Sequence, residues 1–445
     1  MKMGEFNARA LAQGKRQRIA VIGSGIAGLG AAWLLRDQHD VVVFEAASRL
    51  GGHTNTVDVT IDGVTHGVDT GFLVFNRRTY PNLCALFATL EVPVASSDMS
   101  FAVSLSEPDI EWAGSSLATV FAQKRNLARP AFWRMLQDIV RFNRETTREA
   151  REHLLPAISL GDYLERNRYG SEFRDWYLLP MAAAIWSCPA RTMLDYPVAT
   201  FLRFCHNHGL LQVADRPQWM TVQGGAREYV RRIAAVLPDI RTGCPVAGVR
   251  RDAGQVELLT ARGVECFDQV IFACHSDQAL AILGAAATQH ERAILGAIRY
   301  QPNRALLHTD AALLPRRKST WSAWNYAASP GSAANRSVAV SYLINRLQPL
   351  PWKTPVVVSL NPFHEPAPER LIAEIDYAHP VFDAAAVAAQ AHLPGLQGRN
   401  HTWFCGAWTA YGFHEDGLKS AVDVCGMLGA VAPWLAAPVD FEVAA

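Results

Sequence analysis

The stretch from Arg18 to Thr54 constrains this chain more than any other. It reads Arg18-Ile-Ala-Val-Ile-Gly23-Ser-Gly25-Ile26-Ala27-Gly28, then Val41-Val-Val-Phe44-Glu45-Ala46, then Arg49-Leu-Gly51-Gly52-His53-Thr54. An apolar strand, a glycine turn, an Ala/Leu-rich helix and a Val-rich second strand follow from that order, the unit that binds a dinucleotide. Gly23 permits the tight turn, Gly25 lets backbone approach a diphosphate, and Gly28 lets the helix pack on the strand. Glu45, 22 residues after Gly23, ends the second strand where a carboxylate grips a ribose diol. The glycines alone are a weak signal; the strand, helix and acid around them supply the context they require.

Lys15-Arg16-Gln17-Arg18 ahead of the apolar residues 19–35 imitates a secretory signal. Interrupting glycines, the lack of a small-residue cleavage pattern and the direct run into a second strand argue against that reading. No other uninterrupted apolar run approaches the ~20 residues a membrane span needs. With 445 residues, 50% hydrophobic, the chain has material for a large core and two or more domains. Its 42 Lys+Arg balance 41 Asp+Glu, so no global field recruits nucleic acid. Eight cysteines are dispersed without a CxxC pair or zinc spacing, so no metal site is expected and a reduced, cytoplasmic setting fits.

Residues 56–75 alternate apolar and polar side chains around Gly63 and Gly67, which predicts a short hairpin. From about Tyr80 to Cys205, segments rich in Trp, Phe, Arg and Leu predict a helical insertion. Alternating α/β character returns at Val222-Gln-Gly-Gly225, with a helix over 226–237 and strands near 240–249, 256–259 and 268–273. A second insertion, 291–393, holds strand-like segments at 337–344 and 355–360, before a strand at 402–406 and a closing helix over 417–429. The expected class is α/β, with a Rossmann-like dinucleotide-binding domain drawn from 18–75, 210–290 and 394–435 and a discontinuous α+β domain from 76–209 and 291–393. Residues 1–17 and 436–445 are expected to be flexible termini.

Two adjacent glycines directly after the Glu45 strand let backbone amides approach a second part of the ligand. FAD-binding proteins meet the diphosphate and ribityl chain with such a turn, so non-covalent FAD is favoured over NAD. The candidate cofactor residues here are Gly23, Gly25, Ile26, Ala27, Gly28, Glu45, Ala46, Arg49, Gly51, Gly52, His53 and Thr54. Val246 stands where such proteins offer backbone groups to the adenine, with a plain strand as the alternative, and Ala273 ends a buried strand at a cofactor-facing turn. Gly406, then Gly417-Leu418-Lys419, resembles a C-terminal flavin-binding segment whose helix N-terminus would support an anionic reduced ring. Glu415 and Asp416 also read as ordinary first-turn acids. Ala407 and Trp408 stand where many related flavoproteins carry an acid.

Residues 121–151 hold Lys124, Arg125, Arg129, Arg134, Arg141, Arg144, Arg148 and Arg151, interleaved with Phe132, Trp133 and Phe142. Two readings stay open, a surface attracted to anionic lipid headgroups and a solvated helix face over an aromatic core stripe. His206 and His208 lack the further ligands a metal pair needs.

Taken together these segments resemble the FAD-dependent amine oxidase and protoporphyrinogen oxidase superfamily, which includes phytoene desaturase-like enzymes, and the likeness implies an amine oxidase-like two-domain architecture of an FAD-binding and a substrate domain. Longer motifs narrow the likeness: Gly71-Phe-Leu-Val-Phe-Asn76, Thr79-Tyr-Pro-Asn82, Ser97-Asp-Met-Ser-Phe101, Phe121-Ala-Gln-Lys-Arg-Asn126, Ala184-Ile-Trp-Ser-Cys-Pro189, Phe204-Cys-His-Asn-His208, Gln218-Trp-Met-Thr-Val222 and Gly412-Phe-His-Glu-Asp-Gly-Leu-Lys419. These look like bacterial FAD-dependent proteins related to the N-terminal oxidase-like region of plant cyclopropane fatty acid synthases. The methyltransferase half of those plant proteins has no counterpart in the sequence, so a separate methyltransferase partner is expected to supply it.

That resemblance implies an FAD-dependent oxidoreductase that removes hydride from an apolar substrate, a methyl-branched fatty acyl chain of a phospholipid, in desaturase-like chemistry. The alternatives are a flavin amine oxidase and an FAD-binding accessory subunit of a lipid-modifying methyltransferase. No residue stands out as a general base. Lys419, Tyr326 and His206 are the catalytic candidates, and Trp324, Tyr326 and Tyr342 the substrate-lining ones. The expected location is cytoplasmic, with peripheral contact to the inner face of the membrane through 121–151.

Overall fold

A computed structural model of the chain describes residues 16–152, 154–186, 190–211, 216–252, 254–329 and 338–436. The termini expected to be flexible therefore lie almost wholly outside the described residues, as do residues 187–189 of the Ala184 to Pro189 motif. Five short strands form a parallel sheet in the order Asp239–Arg241, Asp40–Phe44, Arg18–Ile22, Gln269–Phe272, Thr402–Phe404. Ala20 pairs with Val42 on one side and Val270 on the other. These strands are apolar almost throughout because both faces are covered. One face packs against the helices Ile26–Leu35, Pro81–Thr89, Arg227–Ala234 and His414–Met427. The other packs against the Ser276–Leu283 helix and a three-stranded antiparallel sheet of Val246–Asp252, Gln255–Thr260 and Gly263–Phe267.

Every residue of the Ile26–Leu35 helix is buried. A helix apolar on all sides needs a partner on each. The sheet supplies one and the His414–Met427 helix the other, with Leu418 Cδ1 lying 2.7 Å from where a Cβ on Gly30 would stand.

A second sheet of seven strands runs Leu371–Val381, Arg299–His308, Val357–Leu360, Val338–Leu343, Trp324–Ala328, Phe101–Leu105, Ile110–Ala113. It is antiparallel except where Trp324–Ala328 runs parallel to Phe101–Leu105. This corrects the expectation that residues 80–205 are helical. The Phe-Ala-Val-Ser-Leu and Ile-Glu-Trp-Ala runs alternate with the strand period, and a distant strand, rather than a sequence neighbour, pairs Phe101–Leu105 on one side. Helices do fill the rest, chiefly Pro130–Arg151, Leu179–Trp186 and Val198–Asn207 around an aromatic core that includes Phe142, Phe173 and Phe201. The expected hairpin is present as Thr56–Ile61 paired with Val64–Asp69. Among the described residues no helix is long and apolar enough to cross a membrane.

Candidate active site

The first strand ends at Ile22 and the chain turns at once, with the Gly23 N–H donating to Phe44 O at 2.8 Å. Gly23 holds φ +103°, a left-handed value that favours glycine, and a Cβ there would stand 3.0 Å from the carbonyl of Ala273. A Cβ on Gly28 would lie 1.9 Å from Gly23 O, so helix and turn are in backbone contact. At Gly25 the same construction meets nothing within 4 Å. The helix that starts there has no side-chain cap and no acid in its first turn. Its first amides are thus left to an external anion, and the open space at Gly25 lets one approach.

Glu45 is oriented by three donors. Its Oε2 accepts from Ser24 N–H at 2.9 Å and Ser24 Oγ at 2.6 Å, and its Oε1 from Ala47 N–H at 2.8 Å. Cys244 N–H reaches back to Glu45 O at 2.9 Å, which brings Val246 close to the same strand end. The double glycine follows, with Gly51 N–H on Ser24 O at 3.0 Å and Gly52 packed so that a Cβ would touch Gly25 Cα at 3.2 Å. Arg49 folds over this turn, its Nη1 donating to Gly52 O at 2.8 Å. Gly23, Gly25, Ile26, Ala27, Gly28, Glu45, Ala46, Arg49, Gly51, Gly52, Val246 and Ala273 therefore cluster at the carboxyl ends of the parallel strands, where open α/β sheets bind ligands.

The C-terminal segment closes on the same edge. Gly406 follows the Thr402–Phe404 strand with its N–H on Ser420 Oγ at 2.9 Å, and a Cβ on Gly417 would meet Ile26 Cγ2 at 2.9 Å. The closing helix begins at His414, three residues before the expected start, because Phe413 N–H donates to Asp416 at 2.9 Å and Glu415 accepts from Asn82 N–H, Asn82 Nδ2 and Leu83 N–H. Both acids anchor chain. Burial raises the Glu415 carboxyl and pushes that of Asp416 up to about 7. Lys419 stands apart from this group, 62% exposed and paired with Asp423 Oδ2 at 2.8 Å on the outer face of the helix.

Several residues that sequence reasoning missed surround His53 and Thr54. His414 stacks on Phe72 at 3.7 Å and bonds Thr54 Oγ1 at 2.9 Å. His53 stacks on Tyr377 at 4.9 Å and faces His379 at 5.3 Å and His275 at 6.0 Å. Its Nε2 is sealed from solvent without a hydrogen-bond partner. His379 is held by Asn303 Nδ2 at 3.0 Å, and Asn303 Oδ1 by Asn361 at 2.7 Å. Burial, reinforced by neighbouring imidazoles, holds His53 well below the usual histidine range, and burial takes His379 down to about 4 and His414 to about 3. These rings are neutral at pH 7. His275 lies two residues beyond Ala273, at the turn after the Gln269–Phe272 strand, and was findable by that position; His379 lies on a distant strand with no local signal.

A wall of aromatic rings leads from Phe413 into the helical region. Phe204 stacks on Phe413 at 5.0 Å and on His208 at 3.9 Å, and Tyr411, Trp219 and Tyr80 complete it. Trp219, Tyr411, Phe413 and His208 are half-buried, so the wall keeps accessible ring surface. The carbonyl of Phe204 accepts from His208 Nδ1 at 3.0 Å, and burial lowers that imidazole to about 4. His206, the expected candidate, is half-buried two residues earlier on the same helix, outside this stack. Trp324, Tyr326 and Tyr342 lie together in the core beneath the seven-stranded sheet, Trp324 against Tyr342 edge-on at 4.8 Å. The same cluster holds Tyr377, which stacks on His53, and Trp219 of the aromatic wall packs against it. Among the described residues no group of histidine, cysteine and carboxylate side chains could hold a metal ion.

A family described as flavin containing amine oxidoreductase matches residues 26–304. Over 230 residues the chain is 27% identical to a Mycobacterium tuberculosis protein named flavin-containing monoamine oxidase AofH, covering 49% of this chain and 48% of that protein. The match thus spans about half the length of the curated relatives. Among solved structures, a CLA-producing fatty acid isomerase from P. acnes superposes with a TM-score of 0.65 at 14% identity, over 92% of this chain and 98% of that one. Putrescine oxidase bound to putrescine superposes with a TM-score of 0.65 at 17% identity, over 93% and 99%. At such identities both show a shared fold.

Proposed function

The chain belongs to the flavin-containing amine oxidoreductase family, whose cofactor is FAD, and from that premise we propose that it oxidises an apolar substrate, a fatty acyl chain, at a carbon held beside the aromatic wall. The residues fit the cofactor. The open approach at Gly25 and the uncapped helix suit its diphosphate, Glu45 its ribose diol, Val246 its adenine, and Gly51 to Thr54 with Gly406 to Leu418 its ring end. When bound, FAD supplies the hydride acceptor. The chain's own part is to orient and keep dry. Desaturation removes a hydride from one carbon and a proton from its neighbour to leave a double bond, and an acyl chain gains its orientation by packing.

One observation supports an apolar substrate: the half-buried rings of Trp219, Tyr411 and Phe413, backed by the buried Phe204, form an aromatic surface next to His414, and burial lowers the imidazoles of His208 and His414. A flavin amine oxidase is the second reading, favoured by the family's own description and by the attraction of aromatic faces for a cation. Anaerobic mixing separates them. Bleaching of the flavin by methylated phospholipid and not by a polyamine is the expected result, and the reverse pattern identifies an amine oxidase. A methyltransferase partner remains part of the acyl-chain proposal and is tested by co-purification.

A further inference from the structure

The Pro130–Arg151 helix buries Phe132, Met135, Phe142, Asn143 and Thr146 against the protein. Its opposite face carries Trp133, Gln137, Val140, Arg144, Arg148 and Arg151, all exposed and spaced as one stripe of a helix. The acids of the segment are turned to other work: Asp138 binds Arg141 and Gly170 N–H, Glu145 accepts from Tyr169, and Glu149 from Tyr163. Arg125 and Arg134 are paired with Asp109 and Glu172. Lys124, Arg144, Arg148 and Arg151 have no ion-pair partner among the described residues. Between residues 114 and 152, Glu152 is the one exposed acid.

Large apolar side chains surface beside these cations. Leu117 is 79% exposed, Val140 62% and Leu127 53%. Trp133 is 44% exposed although its ring is fixed, with Nε1 donating to Leu127 O at 2.9 Å and its plane against Phe121. Its polar atom is already satisfied inside the protein. What it shows to solvent is hydrocarbon, and beside it lies a shallow depression lined by Leu127, Ala128, Pro130, Arg134 and Gln137.

We propose that this face docks on an anionic bilayer surface, with Leu117, Leu127, Trp133 and Val140 entering the headgroup boundary and Lys124, Arg144, Arg148 and Arg151 meeting lipid phosphates. The combination selects the occupant. Unpaired cations interleaved with exposed aliphatic and indole groups match a surface that is negative outside and apolar beneath, and an amphipathic helix lies in that plane without spanning it. The proposal is independent of the substrate reading, since a soluble-substrate oxidase could dock equally well.

Flavin-loaded full-length chain is sedimented with vesicles of phosphatidylcholine alone and of phosphatidylcholine enriched in phosphatidylglycerol. Binding to the anionic vesicles, released by raised salt, is expected. The triple variant Arg144→Glu, Arg148→Glu, Arg151→Glu is expected to lower partitioning by about a hundredfold, since each basic side chain near such a surface contributes roughly a fivefold factor. Trp133→Ala with Val140→Ser is expected to weaken binding at every salt concentration. An unchanged flavin spectrum in each variant shows that the fold is intact. No sedimentation with anionic vesicles, or sedimentation that the variants do not alter, overturns the proposal. So does concentration-dependent dimerisation abolished by Val140→Glu, which would assign the face to a second copy of the chain.

Discussion

The two large sheets meet their surroundings in opposite ways. The parallel sheet is short-stranded, buried on both faces, and presents the ends of its strands to the site through turns in which backbone touches backbone. The seven-stranded sheet presents a face, fills the space beneath it with large side chains, and leaves its outer strand partly in solvent, with Leu371 and Ile372 each 37% exposed. Contacts between backbones cannot yield, whereas side chains can repack. The parallel sheet should therefore be intolerant of small changes that the antiparallel one absorbs.

The largest effect is expected at Gly28. Gly28→Val drives a branched side chain into Gly23 O, and no flavin-loaded protein should be recovered. Gly114→Ala, on the turn after the Ile110–Ala113 strand, meets nothing closer than 3.8 Å and should stay within about 0.5 kcal/mol in denaturant titration.

Next comes a pair of ion pairs. Arg251 and Glu291, with side chains 3% and 4% exposed, bond through both terminal guanidinium nitrogens beside the parallel sheet, and Arg251→Ala should cost about 3–5 kcal/mol by leaving a buried carboxylate without its counter-charge. Arg304 bonds Glu374 and Glu365 on the exposed edge of the antiparallel sheet, and Arg304→Ala should leave the urea midpoint unmoved. Equal losses at the two sites would remove the contrast.

Glu45→Gln keeps the shape of the site and removes its charge. FAD should bind roughly 10–100-fold more weakly by fluorescence titration, as expected for a charge-assisted hydrogen bond. Trp324→Phe, on the other sheet, should leave that affinity unchanged.

The smallest effect is a pH trend. Burial lowers His39, His53, His208, His275, His308, His379 and His414, so between about 6.5 and 4 the unfolded chain takes up protons that the folded chain refuses. Their effect is loss of stability as pH falls through that window. Asp69 and Asp416, raised to about 7, and Glu415 act the other way, holding protons when folded that the unfolded chain has released. Seven imidazoles against three carboxyls predict a lower denaturation midpoint near pH 5 than near pH 7.5. A higher midpoint at pH 5 would show that the carboxyls dominate.

Legibility in the sequence follows the same division. Glycines 23, 25, 28, 51 and 52, Glu45 and the hairpin at 56–69 are read locally, because a turn or a close approach is enforced by neighbours in the chain. Phe101–Leu105 and Ile110–Ala113 were hidden because their sheet includes strands nearly 200 residues or more further on. The start at His414 was missed because Asp416 caps a bulky Phe413, a contact that composition does not announce. His379 and Tyr377 reach the site from the longest strand of the far sheet, so nothing near them in sequence marks a site.

The central claim is that distant segments assemble one non-covalent FAD cradle on the parallel sheet. The absorbance spectrum of the purified chain before and after heat denaturation tests it most directly. An oxidised flavin spectrum, with one FAD per chain released on unfolding, is the predicted result. Colourless protein that takes up no added FAD, or a flavin that stays attached after unfolding, would contradict it.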